Sequence, residues 1–358
     1  MKKLIKKLLK ILFFVFLITF MLLSLMNAPI FLVSNQASDN DYSNWMSENL
    51  ETSLFIKDIA MLGAHDAFSH EINLSSHVDN KASDSLMQGF IGRVIKGFSI
   101  RQSKTQVHSA NDLLKSGVRY FDIRLSYNEI EDEYYTVHNY FSSRLFDVLQ
   151  EINHFLENNN GEFLILDIQH TYGVNYSDED DFARVKKYFF DSGILDYAYV
   201  NNIKPLKEIT YGDITSNKSQ AGVIIMSKFQ TDDEYFWDYE QNIRSNWPNE
   251  DEFEKILDYL LLESESIKSN MEIMNKFRVM QAVATMDLSV GGVLRSFGSW
   301  SLLNRAKEFN HYLIEHEEFE NLLEVLPIIM LDYASEDDLI DDIMDIVIDF
   351  NQDLKEKQ

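Results

Sequence analysis

The sequence predicts a single α/β domain built on parallel strands, an eight-stranded barrel, preceded by an N-terminal hydrophobic segment. Three observations carry this. From Ile59 onward, short apolar runs alternate with amphipathic stretches, the pattern of parallel strands covered on both faces. The 358 residues show no internal repeat and no compositional break, and that length suits one barrel. Polar and charged residues recur where the apolar runs end, and barrels of this kind carry their working groups at the C-terminal ends of the strands.

The N-terminus comes first. Lys2, Lys3, Lys6, Lys7 and Lys10 precede an apolar run from Ile11 to Met26, which resumes after Pro29 through Val33. A basic stub before an apolar stretch reads as an export signal. Residues 1–33 are either a cleaved signal peptide, with Ala28 or Ala37 at the cut, or a retained anchor. Ile11–Val33 approaches the roughly 20 residues that span a bilayer. The lysines stay cytoplasmic, and the remainder is exported, membrane-anchored or secreted. Residues 34–56 read as a polar linker, 57–350 as the barrel and 351–358 as a tail.

Within the barrel, Ile59–Leu62 ends at Gly63. Val118–Leu125 is a strand after a short helix closed by Gly117. Ser142 or Ser143 caps a helix through Phe146, Leu149, Ile152, Phe155 and Leu156. Phe163–Leu166, Gly222–Met226, Phe277–Ala284 and Ile328–Leu331 are the next buried strands, and Leu339 to Val347 form the last helix. Residues 85–111 contain Arg93, Lys96, Arg101 and Lys104 but no acid. Leu86, Met87, Phe90, Ile91, Val94, Ile95 and Phe98 recur there at helical spacing, as in a basic amphipathic helix at a membrane interface. The alternative is a barrel-covering helix with this face in the core.

Composition excludes whole classes of function. With no Cys there is no disulfide framework, thiol nucleophile or cysteine-ligated metal. A net charge of −26 argues against a nucleic-acid partner. Neither a G-x-G-x-x-G nor a P-loop occurs, which removes dinucleotide and nucleoside-triphosphate chemistry of the common kinds.

The strand ends supply a chemical inventory: His65 and Asp66 after the first strand, Asp122 and Arg124 on one face of the next, His138 after Tyr134–Val137, Asp167, Lys228 and Asp332. Two histidines can act as base and acid near neutral pH. A carboxylate beside a histidine fixes its tautomer, and an arginine offers a fork of donors to phosphate oxygens. The set suits phosphodiester cleavage by an internal hydroxyl. A metal site from His65, Asp66 and His138 is the alternative, opposed by the charge of Arg124. Asp167 is equally readable as a barrel hydrogen-bonding residue.

Gly63-Ala64-His65-Asp66-Ala67 resembles the G-T-H-D-S motif of phosphatidylinositol-specific phospholipase C, and Gly117–Arg124 resembles that family's G-x-R-x-x-D-x-R segment. His138 falls where its second histidine does. Glu162–Asp167 and Ile329–Tyr333 resemble its third and last barrel strands. Ala64 and Ala67 depart from Thr and Ser. The likeness covers residues 57–350 and implies a distorted TIM-type (β/α)8 barrel of the bacterial, metal-independent type. It implies that His65, oriented by Asp332, deprotonates the inositol 2-hydroxyl. Arg124 stabilises the phosphoryl oxygens, and His138 with Asp66 protonates the leaving diacylglycerol. Asp122 and Asp167 position these groups at the substrate, and Lys228 contacts inositol or its phosphate. The product is inositol 1,2-cyclic phosphate, from phosphatidylinositol or a glycosylphosphatidylinositol. Eukaryotic members bind Ca²⁺ with acidic side chains near these positions. Arg124 replaces one of them, so no cofactor is expected and calcium is dispensable. The partner implied is a phospholipid at a membrane surface, met by Phe90, Ile91, Arg93 and Lys96, and the enzyme is expected to be a monomer. The competing readings are a metal-dependent glycerophosphodiester or sphingomyelin-type phosphodiesterase on the same fold, and a catalytically silent binding barrel.

Overall fold

The computed structural model describes residues 2–26, 40–83, 87–285, 302–335 and 339–357. The parallel strands are β1 (Met61–Ala64), β2 (Val118–Asn128), β5 (Phe163–Tyr172), β6 (Gly222–Ser227), β7 (Phe236–Asp238), β8 (Ile243–Ser245), β9 (Phe277–Ala282) and β10 (Ile328–Leu331). Between them come β3 (Glu133–His138) and β4 (Tyr140–Arg144). The parallel strands lie in the order β7-β6-β5-β2-β1-β10-β9-β8. From β1 the path follows chain order on one side and reverse order on the other, the circuit of an eight-stranded barrel. Among the described residues, β7 and β8 do not pair, so the wall is open at one seam. The expected barrel is present in strand order and incomplete in closure. The two seam strands have three residues each, and each pairs only with its neighbour inside the wall, β7 with β6 and β8 with β9.

The core follows from the apolar runs. Every residue of β1, β6, β9 and β10 is buried, as parallel strands covered by helices require. The helix Leu145–Asn158 turns Leu145, Val148, Leu149, Ile152, Phe155 and Leu156 inward. Each such side chain stabilises the fold by about 1.5–3 kcal/mol. Gly117 has φ +95°, and a Cβ there would lie 2.5 Å from the sulfur of Met344. Only glycine lets the last helix pack over the start of β2.

Several expectations change. β2 runs past the barrel to Asn128, and Leu125–Asn128 pairs antiparallel with β3. His138 therefore ends a hairpin outside the barrel path. The expected linker is partly core. A short helix α2 (Trp45–Asn49), following an N-terminal helix α1 (Lys2–Met26), buries Trp45 and Met46, and Leu50, Leu54 and Ile56 follow them inward. The expected tail continues the helix Leu339–Lys357, where buried Asn351 pairs with both backbone groups of Ala60.

The amphipathic stretch 85–111 is not one helix. It breaks at Ile95 into α3 (Gly89–Val94) and α4 (Lys96–Ser103), and Leu86 lies outside the described residues. Most of α4 is buried, Phe98 and Ile100 included, while Phe90 and Ile91 of α3 are exposed. The α4 half is thus core, as the barrel-covering reading has it, and the α3 half presents Phe90 and Ile91 to solvent. Helix α1 carries exposed apolar side chains from Leu8 to Met21. Among the described residues no helix is long and apolar enough to cross a membrane, so the fold lends the expected anchor no support. Ala28, Ala37 and residues 27–33 lie outside the described part.

Candidate active site

Residues on or just after β1, β2, β3 and β10 converge at the mouth. His65 follows β1, and its backbone N–H donates to the Leu331 carbonyl of neighbouring β10 (3.0 Å). Asp66 turns the chain into the left-handed region, φ +39°, which Asp tolerates better than most residues. Its N–H donates to Asp122 Oδ2 (3.2 Å), and its carbonyl accepts from the Thr105 hydroxyl (3.0 Å). Gln106 ties β1 to β10, donating to the carbonyls of His65 and Leu331.

The side chains form one cluster. His65 Nδ1 lies 2.7 Å from Asp332 Oδ1. Nδ1 therefore holds the proton and Nε2 faces the mouth. Arg124 Nη2 approaches His65 Nε2 and Asp122 Oδ2, each at 3.2 Å, and Nε lies 2.5 Å from Asp66 Oδ1. His138 Nδ1 donates to the Ser103 carbonyl (2.8 Å), which leaves its Nε2 free. Asp66 Oδ2 sits between the rings, 3.4 Å from His65 and 3.3 Å from His138. The side chains of His65, Arg124 and His138 keep 14, 20 and 23% exposure, whereas Asp66, Asp122 and Asp332 keep at most 3%. A ligand in the mouth meets two imidazoles and a guanidinium, with the carboxylates behind them.

Electrostatics separates the two histidines. Burial lowers the pKa of His65, but the carboxylates of Asp66 and Asp332 raise it further, to about 9. Burial and the charges of Arg124 and His65 lower that of His138, against the pull of Asp66. Burial raises the Asp66 carboxyl, but Arg124 and the two histidines outweigh it and hold it below the usual range.

The remaining expected residues fall nearby in other roles. Asp122 and Asp167 are fully buried, which removes both from direct substrate contact. Asp122 holds Arg124. Asp167 accepts from the Tyr120 hydroxyl at 2.5 Å, and burial together with the Asp122 charge raises it to about 8. Lys228 sits over the ring of Tyr239, 4.5 Å from its centre, and its charge reaches Asp167 and His170. Ala64 and Ala67 are buried beside the cluster. Phe90, Ile91, Arg93 and Lys96 lie apart from it, on and just after α3. The sequence reading missed Gln106, Ser103 and Gln169. Gln169 approaches Arg124 at 3.5 Å and follows Asp167 by two, so strand alternation alone marks it.

His65, Asp66 and Asp122 bring ligand atoms within 4.8 Å of one another, close enough to hold a metal ion. The Arg124 guanidinium already contacts all three. A cation there would face a fixed positive charge, so the donor set does not fit a metal while Arg124 keeps this position.

No family model matches the chain. Mouse PI-PLC X domain-containing protein 3 is 26% identical over 226 residues, 61% of this chain and 68% of that protein. The variant-surface-glycoprotein phospholipase C of Trypanosoma brucei brucei is 34% identical over 145 residues, 37% of this chain and 40% of that protein. The solved phosphatidylinositol-specific phospholipase C of Listeria monocytogenes superposes with a TM-score of 0.58 at 18% identity, over 87% of this chain and 98% of its own. A mutant of the Staphylococcus aureus enzyme gives 0.55 at 16%, with the same coverage. At these identities the solved structures speak to the fold. The sequence relatives, with the ordered strand-end motifs, show this chain to be similar to PI-PLC X domain-containing proteins and to the variant-surface-glycoprotein phospholipase C.

Proposed function

We propose that the protein is a metal-independent phospholipase C that cleaves phosphatidylinositol or a glycosylated form of it. The observation that carries this is the guanidinium of Arg124 between His65, Asp66 and Asp122, with His138 beside it. The names of the relatives supply the substrate class. The inositol 2-hydroxyl gives its proton to His65 Nε2, and the alkoxide attacks phosphorus. Arg124 stabilises the charge on the phosphoryl oxygens, an effect worth about 10²–10³ in rate for one preorganised donor. His138 protonates the departing diacylglycerol oxygen. The P–O bond to diacylglycerol breaks as the bond to the 2-oxygen forms, leaving inositol 1,2-cyclic phosphate, which water then opens. Asp332 and Asp122 orient the base and the cation. Lys228 meets the headgroup.

At neutral pH the free enzyme holds His65 protonated and His138 neutral, the reverse of the working state. Asp66, against His65 Nε2 and His138 Nδ1, supports positive charge on whichever ring carries it. A working fraction set by two pKa values in reverse order still gives a bell-shaped profile. Its alkaline limb then belongs to His65 and its acid limb to His138.

For location, the reading keeps the N-terminal segment as an export signal and α3 as the part that meets the lipid surface, with Phe90 and Ile91 inserting. The test is phosphorus NMR of the full chain with phosphatidylinositol in detergent and EDTA, beside His65→Ala. A cyclic phosphate resonance that the variant lacks is the expected result. Turnover that requires Ca²⁺ and stops in EDTA selects instead the metal-dependent reading, in which Arg124 moves aside from the His65, Asp66 and Asp122 donors.

A further inference from the structure

A cavity of about 310 Å³ lies between the 76–80 loop and α3, lined by Ser76, His77, Asn80, Gln88, Arg93 and Lys96 among others. It is separate from the His65 cluster, and no lining residue is acidic. In a chain of net charge −26, that is a locally basic neighbourhood. Among the described residues neither Arg93 nor Lys96 pairs with a carboxylate: Arg93 Nε reaches only the Gly89 carbonyl, at 3.4 Å. The Lys96 ammonium is fixed by the Ser76 carbonyl at 2.8 Å and lies over the Tyr140 ring. One of its three donors is thereby used and the others remain. The wall is built closely. A Cβ on Gly92 would sit 1.8 Å from the Met87 carbonyl oxygen, so glycine is required for the 87–92 turn to close. Gly89 and Gly92 both line the cavity, and the two residues between them, Phe90 and Ile91, stand 76% and 57% exposed. Cation pocket and apolar prongs therefore belong to one turn of chain.

We infer that this cavity is an accessory anion site, which takes the headgroup phosphate of a phospholipid other than the substrate while Phe90 and Ile91 enter the same leaflet. The inference rests on the membrane-docking reading of α3. A phosphodiester supplies the charge and the acceptor oxygens that Arg93, Lys96 and His77 can meet. The prongs choose a lipid over a free anion as its source. Occupancy would seat the enzyme on anionic membrane despite its own net negative charge.

The test is binding of the full chain to phosphatidylcholine vesicles with and without phosphatidylglycerol, so that no substrate is present and α1 is common to every variant. The gain in affinity from phosphatidylglycerol is the readout. Arg93→Gln with Lys96→Gln should reduce that gain by about five-fold per charge, the equivalent of about 1 kcal/mol each. Asn80→Phe fills the cavity and keeps its charges, and should remove the same gain; Ser76→Leu serves if that variant fails to fold. Inorganic phosphate should compete better than chloride at equal ionic strength. A gain that survives filling and yields equally to both salts overturns the pocket and leaves diffuse surface charge. Phe90→Ser with Ile91→Ser tests docking separately: unchanged binding to pure phosphatidylcholine would sink that reading, while the filling variants still decide the pocket.

Discussion

Arg119 and Arg124 stand on the same strand, β2, both beside carboxylates, and do opposite work. At the floor of the barrel Arg119 uses every donor. Nε meets Glu162, Nη1 the carbonyls of Leu114 and Val118, and Nη2 those of Tyr42 and Ser43. The side chain has no exposure, and its cation lies over Phe155. At the mouth, Arg124 shares Nη2 among His65, Asp122 and Gln169. Its Nε is near Asp66 at an angle that makes no hydrogen bond. A saturated guanidinium holds the fold together. One with donors to spare, one-fifth exposed at the mouth, can take a phosphoryl oxygen.

The comparison sets the size of each expected effect. Arg119→Met leaves Glu162 buried and unpaired and should cost about 3–5 kcal/mol of stability. Chemical denaturation measures it, with turnover per folded molecule unchanged. The double variant Arg119→Met with Glu162→Leu should recover much of that loss; if it does not, the carbonyl bonds rather than the ion pair hold the floor. Arg124→Lys should lower kcat by about 10²–10³ and hardly move the melting temperature, since a point charge cannot reproduce the fork. Equal losses of stability at both sites would break the comparison.

A third effect is a shift of the pH profile. In Asp332→Asn the alkaline limb of kcat/KM should fall from about 9 toward the ordinary imidazole value of about 6.5. A limb that stays in place removes His65 as the group that sets it. The smallest effect concerns stability. A histidine raised to about 9 stabilises the fold fully below pH about 6.5 and loses that contribution as pH rises through 9. Over that window the parent's denaturation midpoint should therefore fall relative to that of His65→Ala.

The site was legible in sequence where strand alternation and strand ends were. His65, Asp66, Asp122, Arg124, His138 and Asp332 meet because β1, β2 and β10 are neighbours and the β3 hairpin folds over them. Residues that act through the backbone were not legible. Ser103 contributes only its carbonyl, which any residue carries. Gln106 matters because the chain returns there between two strands. Spacing places Asp122 and Asp167 on a face of their strands but gives no depth along it, and both lie fully buried. The seam went unseen because β7 and β8 are too short to leave a pattern. The 85–111 stretch was misread because its apolar spacing runs unbroken through Ile95, where the backbone does not. Trp45 and Met46 looked like linker because what buries them is distant in sequence: Trp45 donates to the Gly117 carbonyl and Arg119 reaches back to Tyr42.

That floor attachment gives the molecule a mechanical polarity. The chain enters the barrel at Tyr42–Ser47, bonded to Lys115, Gly117 and Glu162, at the opposite end of β2 from Arg124. A load transmitted through the upstream residues therefore falls on the floor. It would peel Trp45 and Met46 away before any force reached the pairing of His65 with Asp332. The floor of the barrel bears such a load, and the pairing of His65 with Asp332 at the mouth is spared it.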